Sequence, residues 1–291
     1  MKSKSKKMTV RERKDNLWGW FLVSPVIFKL FVFNTIPALF CLYVSFTDYN
    51  MLGEVGNRIT KFTLDAYKDV FSSEAFWKSM WNTLFYMLGI PIKLILGFAL
   101  AYALNAKFLK GKGVFRVLYY MPAVATAMAI AIVWKWFFNP EGLLNALLGT
   151  EIAWLLDPRT VKPALILKGV WGGVGGIMLM YLAGMQNISE ELYESAALDG
   201  ANAWVKMTKI TLPLLGPITL YHIIGGISGG MNAFGENYTM VANEASSTAI
   251  WWTYTQFTGG NYPVASAAAW LITIVTIILS IPTYRKLIQQ F

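Results

Sequence analysis

The sequence predicts an all-α integral membrane protein with six transmembrane helices and both termini on one side of the membrane. Three observations lead to this fold class. The chain is 56% hydrophobic and only 14% charged, whereas soluble proteins average about 25% charged residues. Several apolar segments reach the length of about 20 residues that crosses a bilayer as a helix. Basic residues are concentrated in alternate connections between these segments, as expected of a multi-pass protein.

Six apolar segments are long enough to be assigned as membrane spans. The first follows a basic stretch, residues 1–16, as in a signal peptide, but it is too long for one and lacks a small-x-small cleavage site. Pro25 and Pro37 interrupt its apolar run, which is nevertheless interpreted as a first transmembrane helix. Residues 64–77 form an amphipathic segment expected at the membrane interface. The predicted spans are 17–46, 82–104, 114–138, 164–185, 213–234 and 265–284.

Positive charge sets the orientation of these spans, because Lys and Arg are enriched in cytoplasmic connections. Fifteen of them fall in the termini and the even-numbered connections, against six in the odd-numbered ones. Both tails, 1–16 and 285–291, are therefore predicted to be cytoplasmic, as is the connection 186–212 between the fourth and fifth spans. The basic N-terminus is expected to meet anionic membrane lipid rather than nucleic acid.

The sequence offers no catalytic centre and no site for a cofactor or a metal. A phosphate-binding loop would read Gly-x-x-x-x-Gly-Lys-Ser/Thr, and Gly111-Lys112-Gly113 matches it only superficially. Cys41 is the one cysteine, which excludes an internal disulfide. His222, the one histidine, is expected to pack or hydrogen-bond within the fifth span, with proton coupling as the alternative. We therefore predict a protein that is not an enzyme; if ATP drives it, another subunit must hydrolyse the ATP.

The connection 186–212 places acidic and small residues between two apolar spans. Acids favour the positive N-terminal end of a helix, and residues 192–198, which follow Glu190 and Glu191, are predicted to be helical. Gly200 can end this helix in a left-handed conformation, and a second short helix is predicted at 202–210. Small residues would let the bent pair insert into a groove of a partner protein. The alternative is an ordinary solvated loop.

Three lysines fall inside predicted spans, namely Lys29, Lys93 and Lys168. A lysine at the centre of a bilayer costs about 2.5–3.5 kcal/mol, so each should face protein or water or reach the interface. Taken singly, each is interpreted as a snorkelling or structural residue. Taken together, they also allow a pathway for acidic cargo, such as oligosaccharides that contain uronic acids.

Two adjacent spans are rich in glycine, at 169–176 and 225–230. Tight helix packing explains such runs, and a widened cavity or a locally unwound helix is the alternative. Nearby amides, hydroxyls and aromatic rings are suited to sugar binding. The residues predicted to line a substrate pathway are Lys93, Lys168, Trp171, Gly172, Gly173, Gly176, Ser228, Gly229, Asn232, Glu236 and Tyr238.

The order of residues in the connection 186–212 resembles a known motif. Glu194-Ser195-Ala196, Gly200 and the stretch 210–213 resemble the EAA loop of binding-protein-dependent ABC importer permeases, with Ser in place of the family's first Ala. The family's Thr-Gly-Gly-Pro after the fifth span is absent, and 241–245 stands there instead. Further segments are similar to the sugar-type permeases, typified by the first permease of the maltose and glycerol-3-phosphate importers: 45–49, 82–84, 121–123, 133–145 and 262–268.

The resemblance implies the type I ABC importer permease fold in a bacterial plasma membrane. It also implies import of carbohydrate by a complex with a second homologous permease, two ATP-binding cassette subunits and an extracytoplasmic solute-binding protein. The residues that it places in contact with the ATPase are Glu194, Ser195, Ala196, Asp199, Gly200, Ile210 and Pro213. The competing interpretations are an ion-coupled secondary transporter, a membrane enzyme and a structural scaffold.

Overall fold

The computed structural model describes residues 10–50, 61–106, 108–240 and 243–289. Within these residues every regular element is helical, and one isolated antiparallel bridge joins Thr47 to Phe62. The predicted all-α class is therefore confirmed for the described part of the chain. Residues 1–9 of the basic tail lie outside it.

The first predicted span is one helical run rather than a helix broken at its prolines. Helix α1 (Val10–Leu30) continues through a π-helical turn, Phe31–Thr35, into α2 (Ile36–Ser45). Pro25 lies inside α1 and Pro37 in the first turn of α2. Neither proline ends the helical run, since Pro25 is accommodated within α1 and Pro37, which has no N–H to donate, follows directly on the wider π-helical turn. From residue 16 onward the side chains of α1 are exposed, which suits contact with lipid.

The second, fourth and sixth predicted spans also coincide with helices long and apolar enough to cross a bilayer. The second comprises α4 (Glu74–Tyr86) and α5 (Gly89–Asn105), which form one run of 32 residues. The fourth is α9 (Val161–Gln186) and the sixth is α16 (Tyr262–Ile288). Each extends beyond its predicted bounds at both ends.

The third predicted span is a bent pair rather than one straight helix. Helices α6 (Lys112–Val124) and α7 (Ala127–Phe137) meet at 98°. Ala125 is extended, and Thr126 starts the new helix by accepting a hydrogen bond from the backbone N–H of Ala129. The described residues thus hold four single helices that are long and apolar enough to cross a membrane, or up to six such spans if this pair and the bent fifth span each count as one.

The fifth predicted span is the second bent pair. Short helices α11 (Ala203–Lys206) and α12 (Leu212–Leu214), joined by a π-helical turn, lead into α13 (Gly216–Met231) with a bend of 61°. Both glycine-rich stretches, in α9 and in α13, are continuous helix. The alternative of a locally unwound helix is therefore not observed in either stretch. The remaining helices lie in connections: α3 (Asp65–Ser72), α8 (Leu143–Leu148), α10 (Glu190–Leu198), α14 (Gly235–Thr239) and α15 (Ala249–Thr258).

The amphipathic segment predicted at 64–77 is divided between two helices. Ser73 ends α3 and caps α4, where its hydroxyl accepts a hydrogen bond of 3.2 Å from the N–H of Phe76. The apolar face of α3 packs against α16 instead of lying free at the interface. A hydrogen bond from the Thr63 hydroxyl, together with the Lys68 ammonium, lowers the pKa of Asp65 at the start of α3, so this carboxylate stays charged beside the positive helix end.

Helix α9 is the centre of the packing, with α5 against one side and α6 against another. The α5–α9 interface buries Ala101, Met178 and Tyr181 among other apolar side chains. Close approach of α6 depends on Gly175, because a Cβ atom at this position would lie 2.0 Å from the carbonyl oxygen of Tyr119. This part of the glycine-rich run therefore serves tight helix packing.

Candidate translocation cavity and cytoplasmic loop

Two adjoining cavities of about 280 and 480 Å³ lie between α5, α9 and α13. Both are lined by Ile90, Lys93, Gly225 and Gly226, so one polar side chain stands where the two spaces meet. The first cavity continues to Tyr86, Gly169 and Thr248, and the second to Tyr120, Gly176, Tyr221 and His222.

Glycines create much of this space. A Cβ atom built on Gly169, Gly176, Gly225 or Gly229 would meet no atom within 4 Å, leaving out chain neighbours and the backbone of its own helix turn. All four line one or both cavities. The glycine-rich runs thus serve both purposes raised by the sequence. Positions such as Gly175 permit helix contact, and positions such as Gly225 leave a volume open.

Thr248, which ends the loop 243–248, lines the first cavity at the end that the predicted topology places outside. Asn82 of α4 is buried, and its amide donates hydrogen bonds to the carbonyl oxygens of Glu244 (3.2 Å) and Ser247 (3.0 Å). The hydroxyl of Tyr86 donates to the carbonyl oxygen of Ser246 at 3.1 Å. The loop that ends at Thr248 is therefore joined to the second predicted span by three hydrogen bonds.

The structure divides the predicted pathway residues into two groups. Four of them line one or both cavities: Lys93, Gly173, Gly176 and Gly229. Gly173 lines the second cavity, beside the side chain of Lys93. The side chain of Glu236 lies outside the described part. The residues that line neither cavity are Lys168, Trp171, Gly172, Ser228, Asn232 and Tyr238.

Three of the residues that line neither cavity, Trp171, Asn232 and Tyr238, contact other parts of the described chain. Trp171 packs edge-on against Trp134 at a centroid distance of 5.5 Å, on the face of α9 that meets α7. Asn232 donates to the carbonyl oxygen of Ser228 at 2.9 Å, which closes the end of α13. Tyr238 stacks on Phe234. These side chains complete helix packing and helix ends.

Three cavity-lining rings, Tyr86, Tyr120 and Tyr221, were absent from the predicted set, as was His222, which was expected to pack or hydrogen-bond, with proton coupling as the alternative. His222 lies 5.5 Å from the ring centroid of Tyr221 and 6.1 Å from that of Tyr181. For Tyr86, the signal in the sequence that could have identified it is its helical spacing from Lys93. Tyr86 and Lys93 are seven residues apart, which places them on one face in an uninterrupted helix.

The connection 186–212 contains the two short helices that the sequence predicts. Ser189 caps α10 by accepting a hydrogen bond of 3.2 Å from the N–H of Glu191. Gly200 ends the turn with φ of +78°. Beside it, the N–H of Ala201 donates to the carbonyl oxygen of Ala196 at 2.8 Å, the pattern of a left-handed helix end. The predicted glycine stop is thus confirmed.

The connection leaves large apolar side chains uncovered. Leu198 is 90% exposed and Trp204 is 68% exposed. Glu194, Ser195, Asp199, Gly200 and Pro213 are exposed, while Ala196 and Ile210 are half-buried. Large apolar side chains flanked by acids in this way are characteristic of a protein-binding surface.

Internal bonds keep the connection in one shape. The hydroxyl groups of Tyr193 and Thr211 are 2.9 Å apart and join α10 to the π-helical turn before α12. Asn202 caps α11 by accepting from the N–H of Val205 at 2.9 Å. Because α9 precedes this unit and α13 follows it, the unit is attached at both ends to helices that line the cavities.

We expect Gly225→Leu to block passage through the cavities without unfolding the protein. The new side chain would enter the space that both cavities share. Cargo would then be overpacked there, at a cost of about 1–3 kcal/mol, which corresponds to roughly a 5- to 150-fold loss of uptake. Uptake into proteoliposomes and thermal stability in detergent measure the two effects. Gly172→Leu, which adds the same side chain away from both cavities, should retain uptake; equal losses in the two variants would contradict the assignment.

The chain resembles known proteins over most of its length. The family profile described as "Binding-protein-dependent transport system inner membrane component" matches residues 93–286. The probable ABC transporter permease protein YesP of Bacillus subtilis is 33% identical over 94% of this chain and 91% of its own length. The lactose transport system permease protein LacF of Rhizobium radiobacter is 31% identical over 76% of this chain and 74% of its own length.

Solved structures share the fold. A bacterial ABC transporter involved in the import of the acidic polysaccharide alginate contains a chain that superposes with a TM-score of 0.80 at 22% identity, covering 96% of this chain and 99% of that one. The profile match covers more than half of the sequence. The chain therefore belongs to the family of binding-protein-dependent transport system inner membrane components, in which its relatives include permeases of sugar ABC transporters.

Proposed function

We propose that this chain is the permease subunit of an ATP-driven importer that takes carbohydrate from an extracytoplasmic solute-binding protein. One observation carries the proposal: the exposed loop unit 190–211 is attached at its two ends to α9 and α13, which line the cavities. A partner that moves the loop therefore acts on the cavity walls. The cargo proposed is an oligosaccharide.

The lining of the cavities supports a carbohydrate cargo. Tyr86, Tyr120 and Tyr221 place aromatic rings and hydroxyl groups along a space that glycines leave open. A ring offers an apolar face to a pyranose, and hydroxyl groups can bind those of the sugar. The names of several relatives refer to sugars, including maltodextrin in Streptococcus pneumoniae and arabinooligosaccharides in Bacillus subtilis.

The mechanism proposed is mechanical coupling to a separate ATPase. The exposed apolar side chains Leu198 and Trp204 would enter a cleft of the ATPase together with the residues of the resemblance, from Glu194 to Pro213. Closure of two ATP-binding cassette subunits on ATP would then shift the docked loop. Because the loop is internally braced, the shift passes to α9 and α13, and alternating access follows from rigid movement of helices around the cavity.

The topology proposed follows from charge. The two tails and the loop unit face the cytoplasm of a bacterial plasma membrane, and all six predicted spans cross it. A second, homologous permease would supply the other half of the pathway. The apolar surfaces of α6 and α7 that remain exposed, including Val117 and Val133, suit contact with lipid or with this second subunit.

Removal of residues 189–201 tests the proposal. The complex purified in mild detergent should retain an ATPase when the chain is intact and lose it when this segment is deleted, while the deleted chain still inserts into the membrane. A rival secondary transporter would show the opposite behaviour. Its uptake would follow an imposed ion gradient, no ATPase would be retained, and deletion of the loop would leave transport in place.

A further inference from the structure

The three lysines of the predicted spans occupy three different environments. Lys29 is exposed on α1, on a surface suited to lipid. Lys168 is buried within α9 and lines neither cavity. Lys93 lines both cavities at the point where they meet. A common role for the three is therefore excluded, and Lys93 alone is placed to contact cargo.

The neighbouring helix is shaped around the Lys93 side chain. A Cβ atom on Gly173 would lie 2.9 Å from Cδ of Lys93, and 3.8 Å from its Nζ. The absence of a side chain at Gly173 therefore lets the aliphatic part of the Lys93 side chain pack against α9. Any larger residue at this position would push the stem away. The ammonium group is thus held beside the glycine-lined wall at the level where the two cavities join.

The rest of the described lining is neutral in character. It consists of glycines, aliphatic side chains, Thr248, tyrosine rings and His222. Among the described residues that line the two cavities, Lys93 is the single lysine, and none is an arginine. A cationic group in a low-dielectric space attracts an anion more strongly than it would in water. An ammonium group has three N–H donors, so it can keep a contact within the protein and still donate to a ligand.

We infer that Lys93 binds a carboxylate of the cargo and makes the pathway selective for acidic oligosaccharides, those containing uronic acid residues, over neutral ones. The inference rests on the proposed transport function and specifies its substrate class. In this arrangement the tyrosine rings contact the faces of the sugar units, and Lys93 donates to the carboxylate at the junction of the cavities.

Direct binding to the assembled complex tests the inference without the selectivity of the binding protein. The probes are trigalacturonate and its methyl ester, which share a backbone and differ in charge. Hydrogen bonds to charged groups are the strong ones, so titration calorimetry of the complex, purified without the binding protein, should show the acid binding about 10- to 100-fold more tightly than the ester. In Lys93→Met this preference should fall to about one, through weaker binding of the acid.

Matched variants separate charge from structure. Lys93→Arg should keep the preference, and Lys29→Met, which removes a lysine from the lipid-facing surface, should keep it in full. Gly173→Ala should weaken binding of the acid by displacing the Lys93 stem, with the complex still assembled on gel filtration. This variant tests the inference if Lys93→Met fails to assemble.

Three results would overturn the inference: equal binding of acid and ester by the unmodified complex, an unchanged preference in Lys93→Met, or no binding of the acid. Retention of the ATPase and ATP-driven uptake of any sugar, measured on the same preparations, report on the proposed function separately. If the complex imports neutral sugar with ATP and its binding preference does not depend on Lys93, the proposed importer function is retained and the inferred preference for acidic cargo is refuted.

Discussion

Gly200→Pro is expected to abolish ATP-driven uptake while leaving the permease inserted in the membrane. Gly200 has φ of +78°, whereas proline fixes φ near −65°. The substitution also removes the N–H that donates to the carbonyl oxygen of Ala197 at 3.1 Å. In addition, it disfavours the near-helical backbone of Asp199. The turn between α10 and α11 cannot form in this variant, and the surface carrying Leu198 and Trp204 is lost.

The measurement is sugar-dependent ATPase activity of the reconstituted complex, together with retention of the ATPase during purification. Gly149→Pro is a matched control. Gly149 ends α8 with φ of +64° and donates its N–H to the carbonyl oxygen of Asn145, so the same local damage falls in a connection predicted to lie outside the cell. We expect this control to retain the ATPase. Undiminished uptake by Gly200→Pro would show that the loop is not the coupling element.

A charge reversal tests the same surface without disturbing the turn. Glu194→Lys keeps the helix-forming tendency of the position and places a cation where the exposed carboxylate stands. If the loop docks on an ATPase, we expect weaker retention of that subunit and a membrane-inserted permease of unchanged stability. Because Glu194 is exposed, a loss of folding in this variant would be an unexpected result and would count against a purely docking role.

The loop could be predicted from sequence because its structure is decided locally. Ser189 and Asn202 cap helices within three residues of their own positions, and Gly200 supplies a conformation that most residues avoid. The bend in the third span has an equally local cause, the Thr126 cap. The bend was not predicted because apolar residues continue across it. A run of apolar residues indicates how long a buried or membrane-spanning segment is, but not whether its helix axis changes direction.

The cavity could be predicted only in part, because a neighbouring helix decides the role of each glycine. Gly172, Gly173, Gly175 and Gly176 are near-identical in local sequence. Tyr119 lies against Gly175, the Lys93 stem lies against Gly173, and the other two have no atom within 4 Å beyond their own helix turn and chain neighbours. The orientation of α9 relative to α5 and α6 determines these contacts. Polar residues near the cavity in sequence, such as Asn232, were assigned to it because their local partners could not be foreseen.

Gly175→Ala is expected to destabilise the permease by about 3 kcal/mol or more, at the upper end of the cost of overpacking. The added Cβ would lie 2.0 Å from the carbonyl oxygen of Tyr119, 2.8 Å from its carbonyl carbon and 3.0 Å from Cα of Tyr120. All three are backbone atoms of α6, so no side-chain rotation relieves the contact and the helices must separate. Thermal unfolding in detergent, followed by gel filtration, should show a lower melting temperature.

Gly172→Ala is the matched control, because it adds the same methyl group on the same helix where no atom lies within 4 Å beyond its own helix turn and chain neighbours. Alanine favours a helix over glycine by about 0.5–1 kcal/mol, so this variant should melt at the same temperature or higher. The contrast also bears on transport. Helix α9 forms part of the cavity wall and leads directly into the loop unit. If α9 no longer packed against α6, a movement of the loop would shift α9 alone and would not be passed on to the rest of the cavity wall. If Gly175→Ala and Gly172→Ala melt at the same temperature, α6 does not pack on α9 at this distance. The proposal that movement of the loop is passed to the cavity through rigidly packed helices then loses its structural basis.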